Sequence, residues 1–275
     1  MQEILKRVAT GELSIEAASR ALKLRGIRAV GDFARVDTDR AHRTGIPEII
    51  LAEGKRSDEV IEIAITLARE HGFALISRVL DDNVAEEIAT RLGKEGFVVD
   101  HNALAKMILV KKADYESSRH KFGRIGLIAA GTADIPIAEE ARMVAEACGC
   151  EVLKAYDVGI AGIHRLSEPL EHFIEANVAV IIVVAGMDGA LPSVVASLVD
   201  VPVIGVPTSV GYGLGGKGVA ALLSMLQSCS PGLAVVNIDN GVGAATIAVK
   251  CVRSMSRSRN RDRDRDRNRN RRRED

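Results

Sequence analysis

From Gly123 onward, the chain alternates short apolar runs with helix-compatible segments five times in succession. Two of the runs, VAVIIVV at 178–184 and VPVIGV at 201–206, are rich in Val and Ile and show no alternation of apolar with polar residues. That pattern is typical of parallel strands buried on both faces. Because helical crossovers between parallel strands are right-handed, the repeat predicts a doubly wound parallel sheet in a three-layer α/β/α domain.

This domain should span about residues 121–252. We predict its strands at Arg124–Ala130, Glu151–Asp157, Val178–Val184, Val201–Val206 and Leu233–Ile238. Helices are expected at Ile135–Cys148, Glu168–Ala176, Ala190–Val199, Gly218–Ser228 and from about Gly243 to Val252. Ligands of open parallel sheets bind beyond the carboxyl ends of the strands, so the loops that follow the strands are where a site is expected.

Residues 1–120 mix helical and extended patterns, which predicts a small α+β domain before the parallel sheet. Strands are expected at Glu48–Leu51, Ala74–Ser77 and Met107–Lys111, and helices at Ser14–Leu24, Ser57–Glu70 and Val84–Leu92. Ser57 is the expected cap of the second helix, and Gly72 lies beyond its end. The polar stretch ADYESSRHK at 113–121 is the expected linker.

The formal net charge of zero conceals an uneven distribution. Residues 253–275 hold 11 arginines and 5 acidic residues, so the rest of the chain is mildly acidic. The stretch from Arg257 has no apolar side chain to bury, which predicts a disordered and dispensable extension. The alternative, nucleic-acid binding by this tail, is weakened because no aromatic residue lies among its arginines. We therefore expect no specific nucleic-acid partner.

No apolar run approaches the roughly 20 residues that span a bilayer, and the charged start MQEILKRVATGEL is unlike a secretory signal. The sequence thus predicts a cytoplasmic protein without a membrane partner. The four cysteines lack the paired spacing of a zinc site, and we expect no protein-bound metal or resident cofactor.

The loop after the first strand of the parallel sheet, Gly131-Thr132-Ala133-Asp134, precedes a helix. Its backbone N–H groups and the helix dipole would suit a phosphate. Asp134 could accept a hydrogen bond from a ribose hydroxyl or simply cap the helix.

The loop after the second strand, GIAGIHR, places His164 beside Arg165. The two side chains could serve as a general acid/base and an anion clamp, although an isolated histidine is more often structural. After the third strand, Gly186, Met187 and Gly189 surround Asp188, and this loop is a further candidate ligand contact.

Farther along the chain, GYGLGGKG at 211–218 fits neither a dinucleotide fingerprint in the right place nor a complete P-loop, and we interpret it as a flexible lid, with a structural loop as the alternative. The turn NIDNGVG adds Asp239 and Asn240 to the candidate substrate contacts. Cys229 lies after a helix among small polar residues, where its thiol could be exposed.

Several long motifs occur in order: GTADIPIAEEA, DVGIAGIHRL, VAGMDGALPSVVASLVDVPVIGVPTSVGYG and SCSPGLAVVNIDNGVGAA, with IPEIILAEGK at 46–55 before them. Together they resemble the LarB family, pyridinium-3,5-biscarboxylic acid mononucleotide synthase of nickel-pincer cofactor synthesis. The resemblance covers about residues 45–252 and omits the Arg-rich tail. It implies a PurE-like carboxylase fold and a PurE-like homo-oligomer, with an octamer as one expected size.

The resemblance also implies a reaction, the carboxylation by carbon dioxide or bicarbonate of nicotinic acid adenine dinucleotide, with release of AMP. Cys229 would then be the nucleophile that adds to the pyridinium ring. Asp188 matches the family's acid/base residue, although the family pattern has Glu there. A requirement for Mg²⁺ is left open.

Two other functions stay open. A PurE-type aminoimidazole ribonucleotide carboxylase or mutase should carry a histidine in the loop after the third strand, where this chain has Asp188 and Ala190. A noncatalytic nucleotide-binding regulator is the other alternative.

Cys229 and Asp188, the expected nucleophile and acid/base residue, also lie at opposite ends of the predicted sheet. Cys229 precedes a strand, whereas the other candidate loops follow strands, so we expect a site shared between subunits.

Overall fold

The computed structural model describes residues 2–18, 26–115 and 122–256 of the 275-residue chain. The amino-terminal part begins with helix α1 (Gln2–Ala9) and a helical turn at 15–18, followed by strands β1 (Ile27–Val30) and β2 (Ala34–Asp37) and helix α2 (Arg40–Thr44). Then come β3 (Ile49–Leu51), α3 (Ser57–His71), β4 (Phe73–Ser77), α4 (Asp82–Lys94), β5 (Val98–Asn102) and β6 (Met107–Lys111).

Strands β3 to β6 form one sheet in the order β3-β4-β6-β5, in which only β3 and β4 run parallel. Alternate residues of a strand point to opposite faces. Ile76 and Ile108 accordingly pack against α3 and α4, whereas Leu75 and Met107 belong to a different apolar cluster on the other face.

The second part of the chain forms the predicted doubly wound fold. Its elements are β7 (Gly123–Ala129), α5 (Ile135–Ala147), β8 (Cys150–Tyr156), α6 (Ser167–Glu175), β9 (Ile181–Ala185), α7 (Leu191–Ala196), β10 (Val203–Pro207), α8 (Val219–Leu226), β11 (Leu233–Val235) and helix α9 at 241–256. The five strands are all parallel, in the order β11-β10-β9-β7-β8. The strand order reverses between β7 and β9, and ligands of such sheets bind at that point.

The two sheets share one layer of helices. Helices α5 and α9 pack on the parallel sheet through residues such as Ala141 and Ala248, and the same apolar cluster includes Leu75 and Met107 of the amino-terminal sheet. Helices α6, α7 and α8 cover the other face of the parallel sheet. The described chain is therefore layered as helices, sheet, helices, sheet, helices.

Some local expectations need correction. Ser57 does not cap α3: Arg56 is the N-cap residue, its backbone N–H donates to Glu59 Oε2 at 3.0 Å, and the Ser57 hydroxyl donates to Glu87. Gly72 does end the helix in a left-handed conformation, as predicted. The hairpin β1–β2 and strand β5 were not predicted.

Helix α9 continues past its predicted end at Val252 to residue 256. Arg253 explains the extension, because its Nη2 donates to the Cys148 carbonyl at 3.0 Å and its guanidinium stacks over the Phe122 ring. Most of the predicted helix Ser14–Leu24, most of the predicted linker and the Arg-rich tail lie outside the described residues. Among the described residues, no helix has the length and apolar character needed to cross a membrane.

Candidate active site

A pocket of about 680 Å³ opens at the carboxyl ends of β7, β8 and β9, where the strand order reverses. This volume lies within the range of about 300–1,000 Å³ typical of small-molecule sites. The pocket is lined by Ala130, Gly131, Thr132, Ala133, Asp134, Asp157, Gly159, Ile160, Ala161, Ala185, Gly186, Met187, Asp188, Leu191 and Val210. Seven of the predicted site residues belong to this lining.

Asp134 fixes the loop after β7. Its Oδ2 accepts from the Gly131 N–H at 2.9 Å and its Oδ1 accepts from the Thr208 hydroxyl at 2.6 Å. Burial raises the pKa of Asp134, while the hydrogen bonds from Thr208 and Gly131 act in the opposite direction. Although Asp134 is the N-cap residue of α5, its side chain makes no capping hydrogen bond to that helix and fixes the preceding turn instead. Thr132 and Ala133 are exposed toward the pocket.

The loop after β8 carries an ion pair at the pocket rim. Asp157, which lines the pocket, takes a left-handed conformation (φ 59°) and its Oδ2 accepts from Arg165 Nη1 at 2.8 Å. Arg165 and His164 are exposed on the 3₁₀ segment Ile160–Leu166 and do not themselves line the pocket. Asp157 therefore positions Arg165, the residue predicted to bind an anion, beside the pocket.

The loop after β9 is tight because its glycines lie against other backbone. A Cβ at Gly186 would lie 2.4 Å from the Val210 carbonyl oxygen, and one at Gly189 would lie 2.6 Å from that of Ala221. Met187 donates its N–H to Val210 at 3.0 Å and adopts φ 48°, a strained conformation for a side chain of this size. Asp188 is consequently exposed, with Oδ1 3.4 Å from the Ala190 N–H.

The segment after β10 borders the same loop. Thr208 is fully buried under Asp134, and Val210 lines the pocket. Gly211 lies against Met187, and a Cβ placed on it would be 3.4 Å from the Met187 sulfur. Beyond this contact, the Gly-rich segment leaves Tyr212 and Leu214 almost completely exposed. The lid interpretation of this segment stays a prediction.

The turn after β11 is occupied by structural hydrogen bonds. Asn240 Oδ1 accepts from the Gly243 N–H at 2.8 Å and so caps α9, and Asp239 Oδ1 accepts from the Ser209 N–H at 2.8 Å. Neither residue lines the pocket. Both nonetheless lie at the carboxyl edge of the sheet, next to the segment that does.

Cys229 is exposed, as predicted, and lies at the opposite edge of the sheet from the pocket. It precedes β11, and β11 pairs in parallel with β10, which begins at the amino edge. Cys148 and Cys150 are buried, and burial raises the pKa of these thiols to about 12 and about 11. Cys251 is half-buried, so Cys229 is the most exposed of the four thiols, but a single chain does not bring it to Asp188.

A metal cluster is absent from the described part of the chain: no three or more His, Cys, Asp and Glu side chains are grouped to hold an ion. Mg²⁺ is commonly held by one or two carboxylates together with substrate phosphates. Of the three carboxylates in the pocket lining, Asp134 accepts from Gly131 and Thr208 and Asp157 accepts from Arg165, so Asp188 is the one left open to such an ion.

Sequence reasoning missed four residues that shape the site: Asp157, Thr208, Val210 and Arg78. The sequence predicts Asp157 as the last residue of a strand, but the strand ends at Tyr156 and Asp157 begins the loop. The other three make contacts between distant segments, as Arg78 does by donating from Nη2 to the Asp239 carbonyl at 2.8 Å. A usable signal was that Arg78 is a charged residue directly after a predicted strand.

Comparisons with known proteins agree with this fold. The AIR carboxylase family matches residues 124–273, and the LarB/PurE-like N-terminal domain matches residues 27–112. An uncharacterised protein of Methanocaldococcus jannaschii is 43% identical over 248 residues, which cover 90% of this chain and 95% of that protein.

Enzymes named N5-carboxyaminoimidazole ribonucleotide mutase match a smaller part of the chain. The one from M. jannaschii is 37% identical over 129 residues, covering 46% of this chain and 76% of the enzyme. The one from Pyrococcus horikoshii is 34% identical over 131 residues, covering 46% of this chain and 70% of the enzyme.

Proposed function

Because this chain belongs to the LarB family and carries a PurE-like carboxylase domain, we propose that it carboxylates C5 of the pyridinium ring of nicotinic acid adenine dinucleotide. Hydrolysis of the phosphoanhydride would then give pyridinium-3,5-biscarboxylic acid mononucleotide and AMP, for nickel-pincer cofactor synthesis. We place this reaction in the cytoplasm.

The observation that carries the proposal is the combination of a LarB-type amino-terminal domain with an acidic loop in the pocket. The mutases match only 46% of the chain, whereas the LarB/PurE-like N-terminal domain accounts for residues 27–112. The loop after β9 offers the Asp188 carboxylate, and the pocket lining includes no histidine among the described residues. The proposed reaction needs a base that removes a proton from the carboxylated ring, and the Asp188 carboxylate can supply it.

The chemistry needs a nucleophile that can leave again. The thiolate of Cys229 forms a bond to ring C4, and the displaced electron pair neutralises the ring nitrogen. C5 is now enamine-like and attacks carbon dioxide, after which the Asp188 carboxylate removes the C5 proton. The C4–S bond then breaks, its electron pair leaves with sulfur, and the ring regains its aromaticity and positive charge.

The other pocket residues have assignable roles in binding. The turn Gly131–Ala133 lies at the amino end of α5, a 13-residue helix, and would hold a phosphate through backbone N–H groups. Arg165, fixed by Asp157, would face the second phosphate or the ring carboxylate. His164 is exposed beside it and would exchange protons with the leaving AMP phosphate.

We further propose a homo-oligomer in which one subunit supplies Cys229 and a neighbour supplies the pocket. Helix α8 leads toward Cys229 and carries an exposed apolar stripe of Val219, Leu223 and Leu226, which are 48%, 59% and 62% exposed. Their spacing of four and three residues places them on one helix face. Burying this stripe against another copy would remove apolar surface from water and move Cys229 into an interface.

The test is to incubate purified protein with nicotinic acid adenine dinucleotide and ¹³C-bicarbonate and to analyse the products by mass spectrometry. We expect a mononucleotide carrying one additional labelled carboxylate, with AMP in equal amount. Release of AMP without carboxylation, or no turnover with the dinucleotide, would contradict the proposal.

The alternative function is a mutase acting on N5-carboxyaminoimidazole ribonucleotide, favoured by the similarity of about half the chain to the named mutases. Supplying that ribonucleotide to the same preparation distinguishes the two. Rearrangement of the ribonucleotide, with the dinucleotide unchanged, would establish the alternative.

A further inference from the structure

Arg78 occupies a backbone position that an arginine adopts only at a cost. It follows β4 directly and has φ 54°, in the left-handed region that glycine takes without strain. For other residues this conformation costs about 1–2 kcal/mol. Strained residues of this kind concentrate at functional sites, so the contacts of the Arg78 side chain are of interest.

The Arg78 guanidinium crosses from the amino-terminal sheet to the domain of the parallel sheet. Its Nη2 donates to the carbonyl oxygen of Asp239 at 2.8 Å, and its Nη1 lies 3.8 Å from Glu53 Oε2. The buried carboxylate of Glu140 accepts from the Val242 N–H nearby. Burial raises the pKa of Glu140, and the charge of Arg78 acts against that rise. Arg78 thus places a cation near two carboxylates, those of Glu53 and Glu140.

Hydrogen bonds continue from Asp239 to the pocket. Asp239 donates its N–H to the Pro207 carbonyl at 2.9 Å and accepts from the Ser209 N–H through Oδ1 at 2.8 Å. The next residue, Val210, accepts from the Met187 N–H at 3.0 Å. Met187 precedes Asp188 in the pocket wall. Each end of the 207–210 segment is therefore fixed, one by Asp239 and the other against the acidic loop.

We propose that Arg78 is a positioning residue through which the amino-terminal domain holds the acidic loop Gly186–Gly189. Arg78 fixes Asp239, Asp239 fixes the 207–210 segment, and that segment holds Met187 and the orientation of Asp188. The proposal rests on the proposed function only where turnover is concerned. The order of the loop is a property that can be measured without any substrate.

The experiment is amide hydrogen exchange, followed by mass spectrometry, on the full chain and on Arg78→Gly, Arg78→Gln and Arg78→Lys. Glycine relieves the backbone strain while removing the side chain, so Arg78→Gly should keep the wild-type Tm. We expect exchange in peptides covering 186–189 and 209–211 to rise at least about tenfold in the Gly and Gln variants, the change that loss of one hydrogen bond to a charged donor would produce. Lysine can still donate to the Asp239 carbonyl and should restore most of the protection.

Arg91→Gln is the matched control. Arg91 is a half-exposed arginine of the same domain, but it pairs with Asp58 of α3 and with Glu87 of its own helix, α4. Its replacement should leave the exchange of 186–189 unchanged.

Kinetic constants add a second readout. If the wild-type protein carboxylates the dinucleotide, Arg78→Gly should lower kcat with little change in KM, because substrate contacts remain and the base is misplaced. Unchanged exchange at 186–189 in Arg78→Gly would overturn the inference. So would a rise spread over the whole chain with a lowered Tm, which is the signature of a purely structural role. A wild-type protein inactive on the dinucleotide would refute the proposed function and leave the exchange result intact.

Discussion

At the carboxyl edge of the parallel sheet, loops from four strands meet around one pocket, and Asp188 lies open to it. At the amino edge, Cys229 occupies an exposed turn before β11. A parallel sheet separates these edges by the full length of its strands. One chain therefore brings Asp188 and the pocket loops together, whereas Cys229 must come from another copy if both residues take part in one reaction.

The largest effect should come from the nucleophile. We expect Cys229→Ala and Cys229→Ser to lower turnover by at least about 10³-fold, because serine is a poorer nucleophile and leaving group. Wild-type protein mixed with a pyridinium dinucleotide should develop a dihydropyridine-like near-ultraviolet band that Cys229→Ala lacks. Cys148→Ala, Cys150→Ala and Cys251→Ala are the controls and should retain activity. Turnover by Cys229→Ala at the wild-type rate would show that Cys229, and with it the amino edge of the sheet, takes no part in the reaction.

A smaller loss is expected at the carboxyl edge. Asp188→Asn should fold normally and lose about 10²–10⁴-fold in kcat, the usual contribution of a general base. Asp188→Glu restores the carboxylate found in the family pattern and should stay active. Equal kcat values for Asp188→Asn and wild type would show that the exposed carboxylate serves no acid/base role.

Mixing the two inactive variants tests whether the edges belong to one site. Cys229→Ala and Asp188→Asn subunits, unfolded and refolded together, should form mixed oligomers in which some interfaces combine an intact Cys229 with an intact Asp188. Turnover should therefore reappear in the mixture and be absent from each variant refolded alone. Activity from a strict monomer, established by light scattering at the assay concentration, would refute the shared site.

A buried carboxylate outside the pocket lining, Glu139, gives a comparison in which stability rather than turnover should change. Glu139 lies between the two sheets; burial alone would raise its pKa, but hydrogen bonds from Arg142, Tyr156 and Asn102 outweigh burial and lower it to about 2. Since the folded pKa is below the ordinary value of 4.5, the stabilisation is present above that pH and is lost as the pH falls toward about 2.

Glu139→Gln should accordingly lower the free energy of unfolding by roughly 1–3 kcal/mol near neutral pH. The difference from wild type should shrink on acidification from pH 4.5 toward 2, as measured by urea unfolding at a series of pH values. A difference that stays constant with pH would show that the ionised carboxylate does not contribute.

The smallest effect is expected from the tail. Because α9 reaches residue 256, the deletion should begin at Arg257. Removing 257–275 should leave turnover unchanged and alter at most the binding to polyanions. A large loss of turnover would mean that the arginine-rich segment has a catalytic part.

The parallel sheet could be predicted because each of its five strands is a local apolar run. The pocket loops could be placed for the same reason, since they follow strands. The strand order of the sheet was not predicted, because right-handed crossovers restrict the possible orders without selecting one. The roles of Asp134, Asp239 and Asn240 could not be decided, because a side chain that caps a turn and one that contacts a ligand have the same sequence signature.

Contacts between distant segments also escaped prediction. The hydrogen bond from Thr208 to Asp134 joins two loops 74 positions apart, and that from Arg78 to Asp239 spans 161 positions. Neither hydrogen bond produces a periodic pattern in the sequence from which it could be predicted. The shared layer of α5 and α9 was missed for a related reason: an amphipathic pattern shows that a helix is buried, but not that two sheets bury it.

That shared layer has a consequence for the order in which the protein forms on the ribosome. Strands β4 and β6 emerge early, yet the face bearing Leu75 and Met107 packs against helices made much later, one of them at 241–256. During synthesis α5 can cover part of this face soon after β6 is made, but the apolar cluster stays incomplete until α9 follows, more than a hundred residues after β6. Nascent chains arrested before α9 should therefore bind hydrophobic chaperones, and those released with α9 complete should not.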